Sequence, residues 1–225
     1  MTTRVHIVTP RRRIPEPQDT SDSANRRTVD SYERIAREYA DDTAPNSSGV
    51  AEFSGEGLRR LVDAVPAGGT ALEVGSGPGW DADFVESQGV AVRRTEVAAA
   101  FIDFQADRGK HVDKLDVTTD ELGGPYDAVI ALAVLQHVER AQIPAFLRRV
   151  AAALQPGGVF LVAIREGFGE RWEVGDSGNS YFTVLWSESA FRTLLGDAGL
   201  GVEWRFPGED SKEGPWLMLL ARKES

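Results

Sequence analysis

The sequence contains no cysteine and no long apolar run, and each absence excludes a class of protein. Without cysteine the chain can form neither a disulfide nor a zinc–thiolate site, and it has no thiol nucleophile, although this does not identify the redox compartment. The longest apolar run, residues 128–135, is far shorter than the roughly 20 residues that span a bilayer. We therefore expect no membrane-crossing segment and a chemistry that uses other side chains.

Positive charge is scarce, with 25 basic against 35 acidic residues and a formal net charge of -10. Such a field repels polyanions, so nucleic acid is a poor substrate prediction. The basic side chains cluster near Arg11 and Arg13, among prolines and without an apolar segment of signal-peptide length, which favours a cytoplasmic location. We expect residues 1–28 to form a flexible leader, or alternatively a docking arm, and residues 29–225 to form one domain.

Hydrophobic periodicity predicts the order of the elements. Two amphipathic helices come first, and the first of them carries Tyr32 and Tyr39 on one face. From residue 70 onward, short apolar strands alternate with helical segments, which is typical of βαβ units. We place these strands at residues 70–74, 90–96, 111–115, 126–132 and 159–165, and the helices near 80–88, 98–108, 141–154 and 187–198.

The chain ends on two further apolar segments, residues 201–206 and 216–221. The connection between them is too short for a parallel crossover, so they form an antiparallel hairpin. The predicted fold is a doubly wound α/β domain. Its seven-stranded sheet is mostly parallel with a C-terminal antiparallel hairpin, and two N-terminal helices precede it.

A glycine-rich segment, Glu-Val-Gly-Ser-Gly-Pro-Gly at residues 73–79, joins the first predicted strand to a helix. The missing side chains at Gly75, Gly77 and Gly79 let a ligand approach the backbone closely. The dinucleotide fingerprint G-x-G-x-x-G would need glycine at position 80, where the chain has Trp80. The segment therefore predicts a nucleotide-binding loop of another kind, or a structural turn whose glycines arose by chance.

Two carboxylates follow at the ends of the next two strands. Glu96 lies about twenty residues past the glycines, where a carboxylate can accept both ribose hydroxyls of an adenosine. Asp116 ends the third predicted strand, where it can bind the adenine amino group. Either acid alone could be a surface charge, but together with the loop they indicate an adenosine site.

With these motifs the sequence resembles the class I S-adenosylmethionine (SAM)-dependent methyltransferases over residues 29–223. The likeness rests on the loop at 73–79, on Glu96 and Asp116, on the segments 126–129 and 154–158, and on the terminal hairpin. It implies SAM as cofactor and S-adenosylhomocysteine as product.

The same resemblance assigns roles within the cofactor site. Gly75 and Gly77 would lie against the methionine portion, Glu96 would hold the ribose, and Asp116 would face adenine. The full set of predicted cofactor contacts is Glu73, Gly75, Gly77, Gly79, Glu96, Asp116, Tyr32 and Tyr39. The two tyrosines could close the site from above, and the alternative is that they only pack the helix.

His137 is the predicted catalytic residue. Family members that this chain resembles turn the segment after the fourth strand toward the cofactor, with the histidine near the methyl group. An imidazole titrates close to neutrality, so His137 could accept a substrate proton; a packing or capping role is the alternative. A neutral amine or an already ionised oxygen would need no base, because positioning alone carries such a transfer.

The predicted substrate contacts lie in and beside residues 166–186, a glycine-containing segment rich in aromatics. Trp172, Tyr181 and Trp186 would form a substrate wall or lid, or else belong to a β-insertion that packs its aromatics on the core. Arg165, at the end of the fifth strand, would pair with a substrate anion or with a neighbouring acid.

The leading functional hypothesis is methyl transfer from SAM to an oxygen or nitrogen of a small molecule, as in secondary metabolism, with oxygen preferred because of His137. One alternative is methylation of a carboxyl or side chain of a peptide, and another is a non-catalytic SAM-binding protein. A nicotinamide oxidoreductase is disfavoured by Trp80. No metal is predicted, because no compact Asp/His cluster stands out.

Overall fold

The structure is a computed structural model that describes residues 12–14, 23–45, 54–175, 177–211 and 214–224. Ten strands are assigned in these ranges: β1 (Arg12–Ile14), β2 (Thr70–Val74), β3 (Ala91–Glu96), β4 (Asp113–Lys114), β5 (Tyr126–Ala131), β6 (Leu154–Arg165), β7 (Glu170–Val174), β8 (Ser180–Val184), β9 (Leu200–Ser211) and β10 (Gly214–Lys223). The α-helices are α1 (Ala24–Asp42), α2 (Gly55–Ala64), α3 (Trp80–Ser87), α4 (Ala99–Asp107), α5 (Ile143–Ala153) and α6 (Glu188–Asp197).

The main sheet has seven strands in the order β4-β3-β2-β5-β6-β10-β9. The pairs from β4 to β6 are parallel, and β10 runs antiparallel to both β6 and β9. The predicted doubly wound sheet with a terminal hairpin is therefore confirmed. The chain leaves β2 toward β3 and β4 and then returns to β5 on the other side of β2. This reversal is the switch point at which open α/β sheets bind ligands, beyond the carboxyl ends of the strands.

Apolar side chains cover both faces of this sheet, as parallel strands between two helical layers require. On one face the buried cluster includes Leu72, Val129 and Phe160, and on the other it includes Ile130 and Leu161. The helix α2 lies so close to β10 that a Cβ added to Gly57 would collide with the sulfur of Met218.

A second, three-stranded antiparallel sheet has the order β1-β7-β8. Its central strand pairs Trp172 with Ile14 on one side and with Phe182 on the other. The segment predicted as a wall or lid, residues 166–186, thus contains the antiparallel pair β7 and β8, which packs on the core. This was the alternative that the aromatic pattern left open.

The first helix begins at Ala24, ahead of the predicted boundary at residue 29, because the Ser23 side chain caps it by accepting a hydrogen bond from the Arg26 amide. Of residues 1–28 the structure describes 12–14 and 23–28. Thr28 is already buried. Over the described ranges, no helix is both long and apolar enough to cross a membrane.

Candidate functional site

A cavity of about 670 Å³ opens at the carboxyl ends of β2, β3 and β5, with α1 as its outer wall. This volume is in the range of pockets that bind small ligands. Eight of the predicted site residues line it: Tyr32, Tyr39, Glu73, Gly75, Gly77, Glu96, Asp116 and His137. The structure therefore brings together residues from the predicted cofactor site and the predicted base.

The glycine loop enters the cavity with a left-handed backbone at each of its three glycines. At Gly77, φ is 50° and an added Cβ would meet nothing within 4 Å, so its open side is space for a ligand. Gly79 differs, because its Cβ would collide with the side chains of Gln105 and Arg94. Gly79 begins α3 behind the loop and is not part of the cavity lining, so its predicted contact with the cofactor is corrected to a structural role.

Three successive carbonyl oxygens of the loop are held by side chains from β3 and α4. The amide nitrogen of Gln105 donates to the Gly77 oxygen at 2.8 Å, Arg108 donates to the Pro78 oxygen at 2.7 Å, and Arg94 donates to the Gly79 oxygen at 3.2 Å. The same Gln105 amide also donates to the Ser76 hydroxyl. Because these carbonyls are engaged from behind, the loop is fixed before any ligand arrives.

Sequence reasoning missed Gln105 and Arg94, which are both buried. A signal was present for Gln105, which lies between Phe104 and Ala106 in a largely apolar helix, but not for Arg94, whose strand reads AVRRTE. Burying a polar group is costly unless it is hydrogen-bonded, so such a residue points to a specific partner. That partner cannot be named before the two elements are placed together.

Glu96 is hydrogen-bonded to the loop from the side that faces the cavity. One carboxylate oxygen accepts from the Gly77 amide at 2.8 Å, and the other accepts from the amides of Val97 and Ala98 at 2.7 and 3.0 Å. Burial raises the pKa of Glu96 and these backbone donors partly oppose the shift. The carboxyl group is thus fixed at the end of β3 with its side facing the cavity.

Two further carboxyl groups line the cavity beside the loop. Burial raises the pKa of Glu73 well above its ordinary value, the charge of Asp81 raises it further, and the guanidinium of Arg94 opposes the shift. Burial also raises the pKa of Asp81, against a hydrogen bond from Ser54. Oε2 of Glu73 is buried and accepts no hydrogen bond from the part of the chain that the structure describes. The pair can therefore accommodate a cationic ligand group, which would stabilise the charged carboxylates.

Asp116 lies on the opposite side of the cavity, just after β4. Its Oδ1 accepts from the backbone amide and the hydroxyl of Thr118 at 2.8 and 2.6 Å. These bonds leave its other carboxylate oxygen available to a ligand at this wall, as the adenine prediction requires.

His137 ends a short 3₁₀ helix, Leu135–His137, and touches two other elements. Its Nδ1 lies 2.7 Å from the carbonyl oxygen of Phe182, and its Nε2 lies 2.9 Å from the hydroxyl of Tyr32. A carbonyl oxygen can only accept, so Nδ1 carries the proton and neutral His137 accepts from Tyr32 through Nε2.

The predicted substrate contacts Arg165, Trp172 and Trp186 lie outside the cavity and need correction. Arg165, 2% exposed, donates to the buried carboxylate of Glu173 at 2.5 Å. The two tryptophans are buried beneath guanidinium groups at 4.4 and 3.8 Å from their ring centroids, those of Arg27 and Arg140 respectively. The pairing of β7 with β8 turns Trp172 into the core, and Trp186, which follows β8 and bridges to Glu166, belongs to the same core.

Tyr181 is also buried and does not line the cavity. Its ring packs against two residues that do, with centroid distances of 4.9 Å to Tyr32 and 6.0 Å to His137. It therefore supports the cavity wall from behind, and its predicted substrate contact is corrected to this supporting role.

Several lining residues were not predicted. They come from the start of α1, which lies in the segment assigned to the leader, and from the loop after β4: Asn25, Arg26, Thr28, Val117, Thr118 and Thr119. Within the described residues, no group of three or more His, Asp or Glu side chains could hold a metal ion.

Comparison with known proteins agrees with this geometry. Residues 72–160 match the family model of a methyltransferase domain. The ubiquinone biosynthesis O-methyltransferase of Paramagnetospirillum magneticum is 30% identical over 150 residues, which is 59% of this chain and 59% of that protein. The aligned part thus spans about three fifths of this relative's length.

Two solved structures show the same fold over nearly the whole chain. The 1,6-didemethyltoxoflavin-N1-methyltransferase of Burkholderia thailandensis, with its substrate and S-adenosylhomocysteine bound, has a TM-score of 0.70 at 17% identity and covers 96% of this chain and 95% of its own. The magnesium protoporphyrin IX methyltransferase of Synechocystis, with SAM bound, has a TM-score of 0.70 at 15% identity and covers 92% of this chain and 100% of its own. Residues 72–160 are thus similar to a methyltransferase domain, and the chain shares the fold of these two methyltransferase structures over nearly its whole length.

Proposed function

We propose that this protein binds SAM and transfers its methyl group to an oxygen or nitrogen of a small molecule. The observation that carries the proposal is the loop at residues 73–79, which opens into a cavity of about 670 Å³ beside the buried carboxyl groups of Glu73 and Glu96. The neighbours with bound SAM or S-adenosylhomocysteine support the cofactor assignment.

The charges of the cavity suit this cofactor. SAM carries an ammonium and a sulfonium group, and burying a cation is favourable only beside compensating charge. Glu73 and Asp81 provide two carboxyl groups next to the loop, and a cation between them would lower their raised pKa values and release a proton. At the other end, Glu96 and Asp116 would receive the ribose hydroxyls and the adenine amino group.

When bound, SAM supplies an electrophilic methyl group on a positively charged sulfur. The chain's contribution is to orient the acceptor in line with that methyl group and to exclude water, which can supply a large share of the rate enhancement. The rest of the cavity lies between Val29 and Tyr32 of α1 and the segment that ends in His137, and we assign the acceptor to it. Oxygen is favoured as the acceptor atom because a histidine reaches this half of the cavity.

The size of the cavity supports a small acceptor. The relatives are named for ubiquinone biosynthesis, for 1,6-didemethyltoxoflavin and for magnesium protoporphyrin IX. A small planar acceptor, as in secondary metabolism, would suit the aromatic wall made by Tyr32, Tyr39 and Phe101.

The experiment follows a labelled methyl group from SAM in extracts incubated with the protein. We expect label in a small-molecule fraction. Label only in peptides would favour a peptide methyltransferase, and SAM binding without any transfer would favour a non-catalytic binding protein; either result would contradict the proposal.

A matched pair of variants shows whether transfer depends on the loop. Gly77→Val and Gly89→Val both place a branched side chain at positive φ, 50° and 88°, with nothing within 4 Å of the added Cβ. Both should lose similar stability, because the backbone strain is alike. Only Gly77→Val should abolish transfer, since only that position lines the cavity.

A further inference from the structure

The hydrogen bonds of His137 show that its Nε2, the nitrogen that would accept a proton, is bonded to Tyr32. Nδ1 is bound to the Phe182 carbonyl oxygen at 2.7 Å and Nε2 to the Tyr32 hydroxyl at 2.9 Å, so both ring nitrogens are engaged. A direct transfer from an acceptor to His137 would require Tyr32 to be displaced. The phenol of Tyr32 can itself accept a proton from an acceptor and donate its own proton to His137, because a tyrosine hydroxyl donates one hydrogen bond and also accepts.

The ring of Tyr32 is held in place by other aromatic rings. Centroid distances are 4.9 Å to Tyr181, 5.6 Å to Tyr39 and 6.1 Å to Phe101. A ring with contacts on several sides keeps its hydroxyl at a fixed point. That hydroxyl belongs to a residue of the cavity wall.

We propose that Tyr32 is a catalytic residue that relays the acceptor's proton to His137. This inference rests on the proposed function. As the acceptor oxygen bonds to the methyl carbon, its proton passes to the phenolic oxygen of Tyr32, and the phenolic proton passes to Nε2 of His137. The carbon–sulfur bond breaks with its electron pair left on sulfur, which yields the methylated acceptor and S-adenosylhomocysteine. The imidazolium then returns its proton to solvent.

The groups around Tyr32 and His137 affect the positive charge that the proton relay places on the imidazole ring. The imidazolium keeps its Nδ1 proton in the hydrogen bond to the Phe182 carbonyl oxygen. Tyr39 and Tyr181 are titratable groups whose rings pack on Tyr32 or His137. Among the described residues, the charged groups that line the same cavity are Arg26, Glu73, Asp81, Glu96 and Asp116.

The first test needs no acceptor. The chain has three histidines, at positions 6, 111 and 137, so ¹⁵N-histidine spectra can be assigned with His111→Gln and His137→Gln. We expect His137 to carry its neutral proton on Nδ1, and Tyr32→Phe to move the Nε2 resonance toward that of an unbonded nitrogen. A neutral His137 with its proton on Nε2, or an Nε2 resonance that is insensitive to Tyr32→Phe, would overturn the relay.

The matched control is Ser31→Ala. Ser31 is the neighbour of Tyr32 on α1 and bonds to the Ser180 carbonyl oxygen at 2.7 Å, so it also docks the helix, but it does not line the cavity. If Tyr32 only docked α1, both variants would have similar effects. We expect Ser31→Ala to leave the Nε2 resonance and the turnover number unchanged.

The kinetic test uses the acceptor identified by methyl labelling. Tyr32→Phe should lower kcat by about 10² to 10⁴, the usual range for proton-transfer catalysis, with an unchanged Kd for SAM. The deficit should shrink as the pH rises and the acceptor ionises by itself. A pH-independent deficit would overturn the relay, whereas a wild-type protein that binds no SAM would overturn the proposed function.

Discussion

At the scale of single residues, Glu73 shows a conflict between stability and ligand binding. Its raised pKa means that the folded state holds a proton which the unfolded state releases once the pH exceeds the ordinary carboxyl range. Stability therefore falls as the pH rises from that range through the raised pKa. A group that costs stability in this way is typical of a ligand site.

Glu73→Gln should stabilise the empty protein at pH 7, because the neutral amide removes the cost of desolvating or protonating the carboxylate. A gain of about 1 kcal/mol would raise the Tm by roughly 2 to 4 °C for a chain of this size. The same substitution should weaken SAM binding. Thermal unfolding and calorimetric titration measure the two effects.

The control for this prediction is Glu86→Gln. Hydrogen bonds and charge from Arg94 and Lys110 hold the pKa of Glu86 below its ordinary value, so its substitution should lower the Tm and leave SAM binding unchanged. If Glu73→Gln also lowered the Tm, the Glu73 carboxyl group would stabilise the empty protein, which contradicts the prediction.

Glu96→Ala should weaken SAM binding by about 1.5 to 3 kcal/mol, the usual contribution of hydrogen bonds to a charged group. The substitution removes the predicted ribose acceptor and also the partner of the Gly77 amide. Glu121→Ala, at an exposed position, is the control. A Kd for SAM that is equal in the two variants would mean that Glu96 does not touch the ligand.

At the scale of elements, the loop at residues 73–79 depends on α4 behind it. Gln105→Leu keeps the approximate volume but leaves the Gly77 carbonyl and the Ser76 hydroxyl without their donor. Leaving a buried polar group unpaired costs about 1 to 3 kcal/mol. We expect faster hydrogen exchange in the loop and weaker SAM binding than in Gln88→Leu, which changes an exposed glutamine. Unaltered exchange would show that the loop needs no support.

The helix α1 forms the outer wall of the cavity. The carboxylate of Glu33 on this helix accepts from the Ala99 and Ala100 amides at 2.7 and 2.8 Å, at the start of α4. It thus caps a helix whose own N-cap, Ala98, offers no side-chain bond.

Glu33→Ala should speed the release of bound SAM by about 2- to 30-fold, which corresponds to the roughly 0.5 to 2 kcal/mol of a lost cap. Stopped-flow displacement measures this rate. Glu38→Ala, at an exposed position of the same helix, should leave the rate unchanged. Equal release rates for the two variants would mean that α1 does not gate the cavity.

The elements that sequence analysis placed well are those whose signal is local. The strands β2 and β5 and the helices α3 and α4 follow the hydrophobic period within a residue or two. The β7–β8 hairpin was harder to foresee, because its glycines resemble those of a loop and β1, its outer partner, is more than 150 residues away. The start of α1 was missed because its first turns are polar and their packing partners, such as Glu139 and Gln142, are distant in sequence.

In the candidate site, too, the residues with a local sequence signal were predicted, whereas those that depend on distant contacts were not. Glu73, Gly77 and Glu96 were foreseen because they belong to a motif at successive strand ends. The positions of Gln105 and Tyr32 became clear only when α4 and α1 were placed against the loop and His137. The predicted substrate contacts Trp172 and Trp186 lie in the core, since sequence shows that these residues are apolar but not which way their side chains face.

At the scale of the whole molecule, one topological feature locates the site. The chain order reverses between β2 and β5, and the two strand ends separate there to leave a crevice. The loop from β2, the acid from β3 and the histidine after β5 all converge on this crevice. The N-terminal helix closes it from the side opposite the sheet.

The central claim is that this crevice is a SAM site and not a dinucleotide site. Calorimetric titration of the wild-type protein with SAM, S-adenosylhomocysteine and NAD tests it most directly. We expect SAM and S-adenosylhomocysteine to bind, with proton release on SAM binding as Glu73 ionises. We expect NAD to give no heat of binding. Binding of NAD without binding of SAM would contradict it.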